Sequence, residues 1–300
     1  MGARPVAANR ASAPEAERLV LAPAERLEAV LEVIAGAQRH LRLSLFRCDD
    51  FHVLDALVEA LRRGVRVEVL LTGRAKGGRK RLQELWALLE STGATLHRYA
   101  DPVVKYHAKY IVADDGPALV ASLNFTRKCF ERTCDFLLTT REPAIVSGLR
   151  RLFDADCRTA ASSLPARLSP RLVVGPERAR DQFKALIERA RRSVRVIDPK
   201  LTDPEMRTLL DRRRKDGLTV TTLGDGDLAG CVAHGKMMLI DEKTAVIGSL
   251  SLSAIHLGFR REVAVVTEDP RSVSVLRVFF EQMARGRTLA HAVTTAERSS

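Results

Sequence analysis

Apolar residues along the chain recur at two spacings. Residues 27–34 carry them at the intervals of an amphipathic helix, and the same intervals return at residues 183–187. Four short apolar runs predict strands, at residues 41–46, 65–71, 194–197 and 218–222. Because helical and strand-like segments alternate, the pattern predicts an α/β fold.

The chain also contains an internal repeat. Two segments share the spacing His-x-Lys-x4-Asp, and a small residue and a serine follow six residues later in each. The members of the first segment are His107, Lys109, Asp114 and Ser122, and those of the second are His234, Lys236, Asp241 and Ser249. Each pair of counterparts is 127 positions apart, and Asp135 falls on Glu262 at the same offset. Matched segments in one register indicate a duplication.

The two halves differ in length. Residues 18–23 lie over residues 171–176 at an offset of 153, so the first half holds 26 residues more. A helix predicted at residues 81–90 and a strand at 94–99 account for this insertion. We therefore divide the chain into a disordered N-terminal extension at 1–17, a first lobe at 18–160, a linker at 161–170 and a second lobe at 171–300.

The composition fits two lobes. Three hundred residues, of which 46% are hydrophobic, can form two cores. No apolar run approaches the roughly 20 residues of a membrane-spanning helix, and the N-terminus lacks a signal-peptide pattern. The five cysteines form no Cys-x2-Cys pair, which argues against both disulfides and a zinc site. We expect a cytoplasmic monomer, with peripheral contact to an anionic membrane left open.

The net charge of +12 favours a polyanionic partner, either nucleic acid or an anionic membrane surface. One Trp and three Tyr leave little material for a surface on which bases stack.

The repeated motif has the side chains for phosphoryl chemistry. Alternate residues of a strand point to one side, so each motif would project an imidazole and an ammonium together. If the lobes meet at a pseudo-twofold interface, both pairs surround one anion, and such a set suits a phosphodiester. One histidine can attack phosphorus while the other protonates the leaving oxygen. The candidate catalytic residues are His107, Lys109, Asp114, His234, Lys236 and Asp241. The lysines neutralise the anion, so this chemistry requires neither a metal nor a cofactor.

Further polar residues complete the candidate site. Ser122, Asn124 and Ser249 are predicted hydrogen-bond donors to the transition state. A nucleophilic imidazole must be neutral and needs a partner on its far nitrogen to fix the tautomer. Asp135 and Glu262, at the same place in each repeat, are predicted to be these partners.

These residues and the duplication resemble the phospholipase D superfamily, whose signature His-x-Lys-x4-Asp-x6-Gly-Ser-x-Asn occurs twice in its bilobal members. The resemblance extends over about residues 18–284. It implies two pseudo-twofold-related α/β lobes, each with a mixed sheet in α/β/α layers. It also implies metal-independent phosphodiester cleavage or exchange through a phosphohistidine, with His107 as nucleophile and His234 as general acid. In this family, Asp114 and Asp241 serve local structure more than proton transfer.

Two positions depart from the family signature. Ala121 replaces the first glycine, which is a mild change. Ser251 replaces the second asparagine, so the phosphate or backbone contact of that asparagine is expected to be lost or bridged by water. His256 has Cys129 as its counterpart and is predicted to be a structural or pocket-rim residue. Every motif His and Lys is present, which favours an active enzyme.

Three functions fit these observations. The leading hypothesis is an enzyme that hydrolyses or transfers the phosphatidyl group of a phospholipid. A metal-independent nuclease and a non-catalytic phosphate-binding protein are the alternatives. The scarcity of aromatic residues argues against the nuclease, the lack of an obvious membrane-docking helix argues against the lipid enzyme, and the intact motifs argue against the binding protein.

Overall fold

The computed structural model describes residues 16–73, 79–158, 164–224, 228 and 231–298. Residues 1–15 of the predicted extension and 161–163 of the predicted linker lie outside this part of the chain. The elements of the first half are β1 (Glu17–Val20), α1 (Pro23–Gly36), β2 (His40–Leu45), α2 (Phe51–Arg62), β3 (Arg66–Thr72), α3 (Arg79–Ser91), β4 (Thr95–Tyr99), β5 (Lys105–Tyr106), β6 (Tyr110–Ala113), β7 (Ala118–Ala121), α4 (Arg127–Glu131), β8 (Thr133–Cys134), β9 (Leu137–Thr140) and α5 (Pro143–Arg158).

The second half repeats this order without counterparts of α3 and β4 among its described elements. Its elements are β10 (Leu172–Gly175), α6 (Ala179–Arg189), β11 (Ser193–Ile197), α7 (Pro204–Lys215), β12 (Thr219–Leu223), β13 (Val232–Ala233), β14 (Lys236–Ile240), β15 (Thr244–Gly248), α8 (Ala254–Phe259), β16 (Arg260–Thr267), α9 (Pro270–Ala284) and α10 (Leu289–Glu297). The helix and strand predicted for the insertion are α3 and β4. In the described part of the chain, no helix has the length and apolar character needed to cross a bilayer.

Each half forms one mixed sheet. The strand order is β1-β9-β7-β6-β2-β3-β4 in the first lobe and β10-β16-β15-β14-β11-β12 in the second. In both sheets the strand that follows the first helix pairs in parallel with the next long strand. The same strand pairs antiparallel with the motif strand. The repeated topology confirms the prediction of two similar α/β lobes.

Helices cover the outer face of each sheet. α1 and α2 pack on the first sheet through residues such as Val30 and Leu57, and α6 and α7 pack on the second through Phe183 and Leu210. The inner faces of the two sheets share a third cluster with α5 and α9. In it the rings of Phe136 and Phe279 meet edge to face, with centroids 5.7 Å apart. Burial of this apolar surface holds the lobes together.

The first strand also joins the lobes. β1 begins at Glu17, one residue before the predicted start of the first lobe. The Glu17 side chain is buried, and its Oε1 accepts a hydrogen bond from Arg171 of the second lobe. Its Oε2 accepts another from Thr267 Oγ1 at 2.5 Å. The N-terminal strand is thus fixed to both halves.

Each motif aspartate directly follows its motif strand and accepts hydrogen bonds from the backbone at the start of a neighbouring strand. Asp114 accepts hydrogen bonds from the three backbone N–H groups of residues 38–40, and Asp241 does so from residues 191–193. Both have left-handed backbones, with φ of 49° and 52°, which aspartate tolerates better than most residues. Burial alone would raise the pKa of each carboxyl, but the N–H donors lower it below its ordinary value.

Asp114 follows β6 and His107 precedes it, so the two lie at opposite ends of that strand. Asp241 and His234 have the same relation to β14. The two aspartates therefore lie apart from the motif histidines with which the prediction grouped them. They hold turns in place, in agreement with the role that the family resemblance implied.

We expect Asp114→Ala to lower the free energy of unfolding by about 2–4 kcal/mol, because three backbone donors lose a charged acceptor. Denaturant-induced unfolding measures this change. The control is Asp115→Ala, since Asp115 forms ion pairs with Arg39 and Arg150 at the surface, and such pairs contribute about 0–1 kcal/mol. Equal stability of the two variants would contradict the role assigned to Asp114.

Candidate active site

One short strand precedes each motif histidine, and it pairs with a strand of the other lobe instead of joining the sheet of its own lobe. β5 pairs in parallel with the start of β16 in the second lobe, and β13 pairs in parallel with β8 of the first. His107 N donates to Arg261 O at 2.9 Å, and Gly235 N donates to Cys134 O at 2.6 Å. A Cβ at Gly235 would lie 2.5 Å from that oxygen, so this approach requires glycine. Each motif histidine therefore lies against the other lobe.

The motif histidines lie in gaps between strands. The chain leaves regular strand structure between β5 and β6 and between β13 and β14. The prediction that the histidine and lysine of each motif share one face of a regular strand is therefore wrong. The histidine and lysine instead come together because the lysine folds back onto its own motif. Lys109 Nζ donates to His107 O at 2.7 Å, and Lys236 Nζ donates to His234 O at 2.5 Å.

Glu262 contacts two histidines. Its Oε1 accepts a hydrogen bond from His107 Nδ1, and both of its oxygens lie 3.0 Å from His256 Nδ1. Burial alone would raise the pKa of Glu262, but the two imidazoles hold it well below its ordinary value. The carboxylate is thus charged and fixes both rings. The repeat gave no signal for His256, because its counterpart Cys129 is not a histidine.

Asp135 contacts the other motif histidine. His234 Nδ1 lies 3.0 and 2.9 Å from its two oxygens. Ser122 Oγ donates to Asp135 Oδ1 at 2.6 Å, and Thr133 Oγ1 donates to Oδ2 at 2.5 Å. Burial alone would raise the pKa of Asp135, but His234, Lys236 and the Ser122 hydroxyl lower it. Each lobe therefore supplies the carboxylate that orients the histidine of the other.

The motif serines connect neighbouring strands. Ser122 Oγ accepts a hydrogen bond from Phe136 N at 2.9 Å while it donates to Asp135. Ser249 Oγ accepts from Val263 N at 3.2 Å and donates to Val263 O at 3.3 Å. Both hydroxyls thus use their protons within the protein, whereas the prediction assigned those of Ser122 and Ser249 to the phosphate.

Asn124 and Ser251 occupy different surroundings. Asn124 is buried, and its Oδ1 has no hydrogen-bond partner among the described residues. Ser251 Oγ donates to the two oxygens of Asp198 at 2.9 and 3.0 Å, and Leu252 N donates to the same carboxylate at 2.6 Å. The hydroxyl that replaces the family asparagine is thus bound to a carboxylate. Asp198 directly follows β11, and its counterpart is Leu45, so the repeat did not mark it.

Cations surround the ring of Phe46, which directly follows β2. The ring centroid lies 5.4 Å from Lys105 Nζ, 5.4 Å from Lys109 Nζ and 5.5 Å from Arg47 Cζ. The imidazole of His107 packs against it with a centroid distance of 4.3 Å. The aromatic face attracts the cations and limits how the His107 ring can turn. A single Phe after an apolar strand looks like a core residue in sequence, so this role was not predicted.

The charges of the two motifs act on each other. Burial, opposed by Glu262 and aided by Lys236, lowers the pKa of Lys109 from 10.5 to about 7. Burial likewise lowers the pKa of His234, and Lys109 contributes to that decrease. The two motifs therefore lie close enough at the junction of the lobes for their charges to interact. We call the region around His107, Lys109, His234 and Lys236 the interlobe pocket.

A buried arginine of α1 supports the pocket from the first lobe. Arg26 is fully buried. It donates hydrogen bonds to the backbone oxygens of Leu21, Cys129, Thr133 and Asp135. It therefore fixes the segment that carries Asp135. A helical arginine is ordinarily expected at the surface, so the hydrophobic pattern of residues 27–34 did not predict this role.

Among the described residues, two groups of side chains near the pocket have atoms of the kind that bind metal ions. Within each group these atoms lie within 4.8 Å of one another. The groups are His107 with His256 and Glu262, and His234 with Cys129 and Asp135. Each combines residues of both lobes.

The family model described as cardiolipin synthase, PLD-like domain, matches residues 30–157 and 227–284. These ranges contain both motifs and both carboxylates. The chain belongs to the phospholipase D-like family. Members of this family act on phosphodiesters of phospholipids or nucleic acids.

Solved structures share the fold of this phospholipase D-like protein. A polyphosphate kinase from Porphyromonas gingivalis superposes with a TM-score of 0.74 at 21% identity, over 90% of this chain and 47% of the kinase. A phosphatidylserine synthase from Haemophilus influenzae Rd KW20 superposes with a TM-score of 0.65 at 12% identity, over 90% of this chain and 86% of the synthase. The chain thus spans about half the length of the kinase. Identities this low show the fold alone.

A search of curated proteins finds no significant match.

We expect the His107 imidazole to titrate well below pH 6.5, because burial and the adjacent Lys109 oppose its protonation. Lys109→Met should raise the pKa of His107, since it removes a positive charge 3.1 Å from Nδ1. Glu262→Gln should lower that pKa further, because the carboxylate favours the imidazolium. Nuclear magnetic resonance of labelled imidazoles across a pH series measures all three values. Titration of His107 above pH 6.5 in the unmodified protein would contradict this electrostatic account.

Proposed function

We propose that this protein is a metal-independent phosphodiesterase of the phospholipase D type. It transfers the phosphatidyl group of a phospholipid to water or to an alcohol, through a phosphohistidine intermediate. The observation that carries the proposal is the reciprocal pairing of each motif histidine with the carboxylate of the other lobe. This pairing prepares two imidazoles for one pocket with two ammonium groups.

His107 has the properties of a nucleophile. Because its Nδ1 lies against Glu262, that nitrogen keeps the ring proton and the Nε2 lone pair is available. Burial and Lys109 hold the pKa of His107 well below its ordinary value, so the ring is neutral. In the first step Nε2 attacks phosphorus, a phosphorus–nitrogen bond forms, and the bond to the leaving oxygen breaks.

His234 has the properties of the acid. Its side chain is 28% exposed, against 10% for His107, so it exchanges protons with solvent more readily. Burial lowers the pKa of His234, and Asp135 opposes that decrease by favouring the protonated form. The imidazolium Nε2–H protonates the leaving oxygen in the first step. In the second step the same nitrogen removes a proton from water or an alcohol, whose oxygen attacks phosphorus and releases His107.

The lysines stabilise the charge that develops during both steps. The phosphorane-like transition state carries more negative charge than the diester, so two ammonium groups bind it more strongly than they bind the substrate. The lowered pKa of Lys109, about 7, belongs to the pocket without an anion. A bound phosphodiester supplies the negative charge that restores protonation.

Exposed apolar side chains next to the pocket support a lipid substrate. Ile255 and Phe259 lie one turn apart on α8 and are 61% and 55% exposed. Val103, which is 65% exposed, lies just before β5, and β5 pairs with Arg260 beside Phe259. We call Val103, Ile255 and Phe259 the apolar rim. With the cations Lys105 and Arg260 beside it, the rim suits a lipid with an anionic headgroup. The nuclease alternative rests on the net charge of +12.

A burst experiment identifies the nucleophile. We expect His107→Ala and His234→Ala each to lower steady-state cleavage of an aryl phosphodiester by about a thousandfold or more, with or without EDTA. An aryl leaving group needs little protonation, so His234→Ala should still release one equivalent of phenolate in the first turnover. His107→Ala should release none.

Rapid-quench kinetics and mass spectrometry of the quenched protein measure the burst and locate the phosphoryl group. A burst in His107→Ala but not in His234→Ala would reverse the two roles. Activity that EDTA abolishes would contradict the metal-independent mechanism.

A substrate comparison decides between lipid and nucleic acid. We expect metal-free turnover of phosphatidylglycerol or phosphatidylcholine vesicles and no cutting of single-stranded DNA or RNA. Ile255→Ser with Phe259→Ser should lower vesicle turnover about tenfold or more, because the variant removes exposed apolar surface. The same variant should leave cleavage of a soluble aryl diester unchanged. Cutting of nucleic acid without lipid turnover would establish the nuclease alternative.

A further inference from the structure

The interlobe pocket contains two matched sets of three ligand-type side chains. At the repeat offset, Asp135 corresponds to Glu262, Cys129 corresponds to His256, and the two motif histidines correspond to each other. In each set the atoms lie within 4.8 Å of one another. Cys129 and His256 thus occupy the same position in the two sets. Both can bind a metal ion, one through a sulfur atom and the other through an imidazole nitrogen.

The set on the Asp135 side suits a soft divalent cation better. A thiolate and a carboxylate there supply two negative charges, whereas the other set supplies one from Glu262. Cations lie near both sets, because Lys109 Nζ lies 3.1 Å from His107 Nδ1, and Arg26 and Lys236 lie near Asp135. Cys, His and carboxylate are all ordinary zinc ligands.

The surroundings of this set are built to hold it. Ser122 and Thr133 donate hydrogen bonds to Asp135, and Arg26 donates to the backbone oxygens of Cys129 and Asp135. Such outer contacts orient metal ligands in proteins. His234 is the most exposed member of the set, which leaves a route from solvent through the pocket.

We propose that Cys129, Asp135 and His234 form an inhibitory zinc site. Tetrahedral zinc, with bonds of about 2.0–2.3 Å, places its ligands roughly 3–4 Å apart, so small side-chain movements suffice. The fourth position takes water. The absence of a Cys-x2-Cys pair argued against zinc in the sequence, but this set draws one ligand from the distant second lobe.

Binding exchanges protons for the metal. The Cys129 thiol releases its proton to solvent, and the sulfur binds as a thiolate. The His234 imidazolium releases its Nδ1 proton to solvent and gives the Nδ1 lone pair to zinc, while Nε2 keeps its proton. The carboxylate of Asp135 turns from the imidazole to the metal. His234 then no longer forms the imidazolium that protonates the leaving oxygen. The inhibition rests on the proposed function, whereas the binding does not.

Cobalt spectroscopy tests the binding directly. We expect metal-stripped protein to bind one Co²⁺ with a thiolate-to-cobalt charge-transfer absorption, which Zn²⁺ then displaces. Cys129→Ala should lose this absorption and bind Co²⁺ about 100-fold or more weakly. Cys134→Ala is the matched control, because Cys134 is a buried thiol outside the ligand set, and it should keep the absorption. Circular dichroism confirms that both variants are folded.

Cleavage of an aryl phosphodiester tests the consequence. Each variant is compared with its own rate in EDTA. We expect Zn²⁺ to inhibit the unmodified protein and Cys134→Ala, and to inhibit Cys129→Ala only at about 100-fold higher concentration. Absorption that persists in Cys129→Ala, or Zn²⁺ inhibition that is equal in all three proteins, would overturn the proposal. A protein without diesterase activity that still shows the Cys129-dependent absorption would refute the proposed function alone.

Discussion

The pairing of β5 with β16 and of β13 with β8 determines where the candidate catalytic side chains lie. These backbone hydrogen bonds carry each motif histidine out of its own sheet and place it beside the partner carboxylate. Because the bonds join residues directly adjacent in sequence to His107, Glu262, His234 and Asp135, the side chains have little freedom to misalign. Such positioning lowers the reorganisation that a reaction would otherwise require.

Burial strengthens the electrostatic contacts in the pocket, and it also destabilises any charge that is left without a partner. A charge inside the protein is stable only when an opposite charge or a hydrogen-bond donor compensates it. Here Glu262 and Asp135 compensate imidazoles, while Lys109 and Lys236 lie close enough to oppose each other. A bound anion would relieve the repulsion between these two ammonium groups. The two carboxylates have different partners. Glu262 contacts two imidazoles, whereas Asp135 contacts one imidazole and two hydroxyls.

The hydrophobic pattern and the repeat predicted two similar α/β lobes, and the repeat matched the two motif histidines, the two motif lysines and the carboxylates Asp135 and Glu262. The exchange of partners between lobes could not be predicted, because a periodicity reports which residues are buried and not which sheet they join. Arg26 and His256 were missed for a related reason. A buried polar side chain depends on distant backbone oxygens or carboxylates, and neither spacing nor composition records them. Ser122 was assigned to the phosphate because the sequence does not show that Asp135 lies nearer.

Each lobe depends on the other for the carboxylate that orients its motif histidine. A fragment cut in the linker would retain a histidine without its carboxylate and would expose the apolar inner face of its sheet. Glu17 would lose Arg171 and Thr267 as well. Neither fragment could work alone, and function could return only by complementation when both reassociate. The same coupling means that a change near Glu262 alters the reactivity of a residue encoded 155 positions earlier.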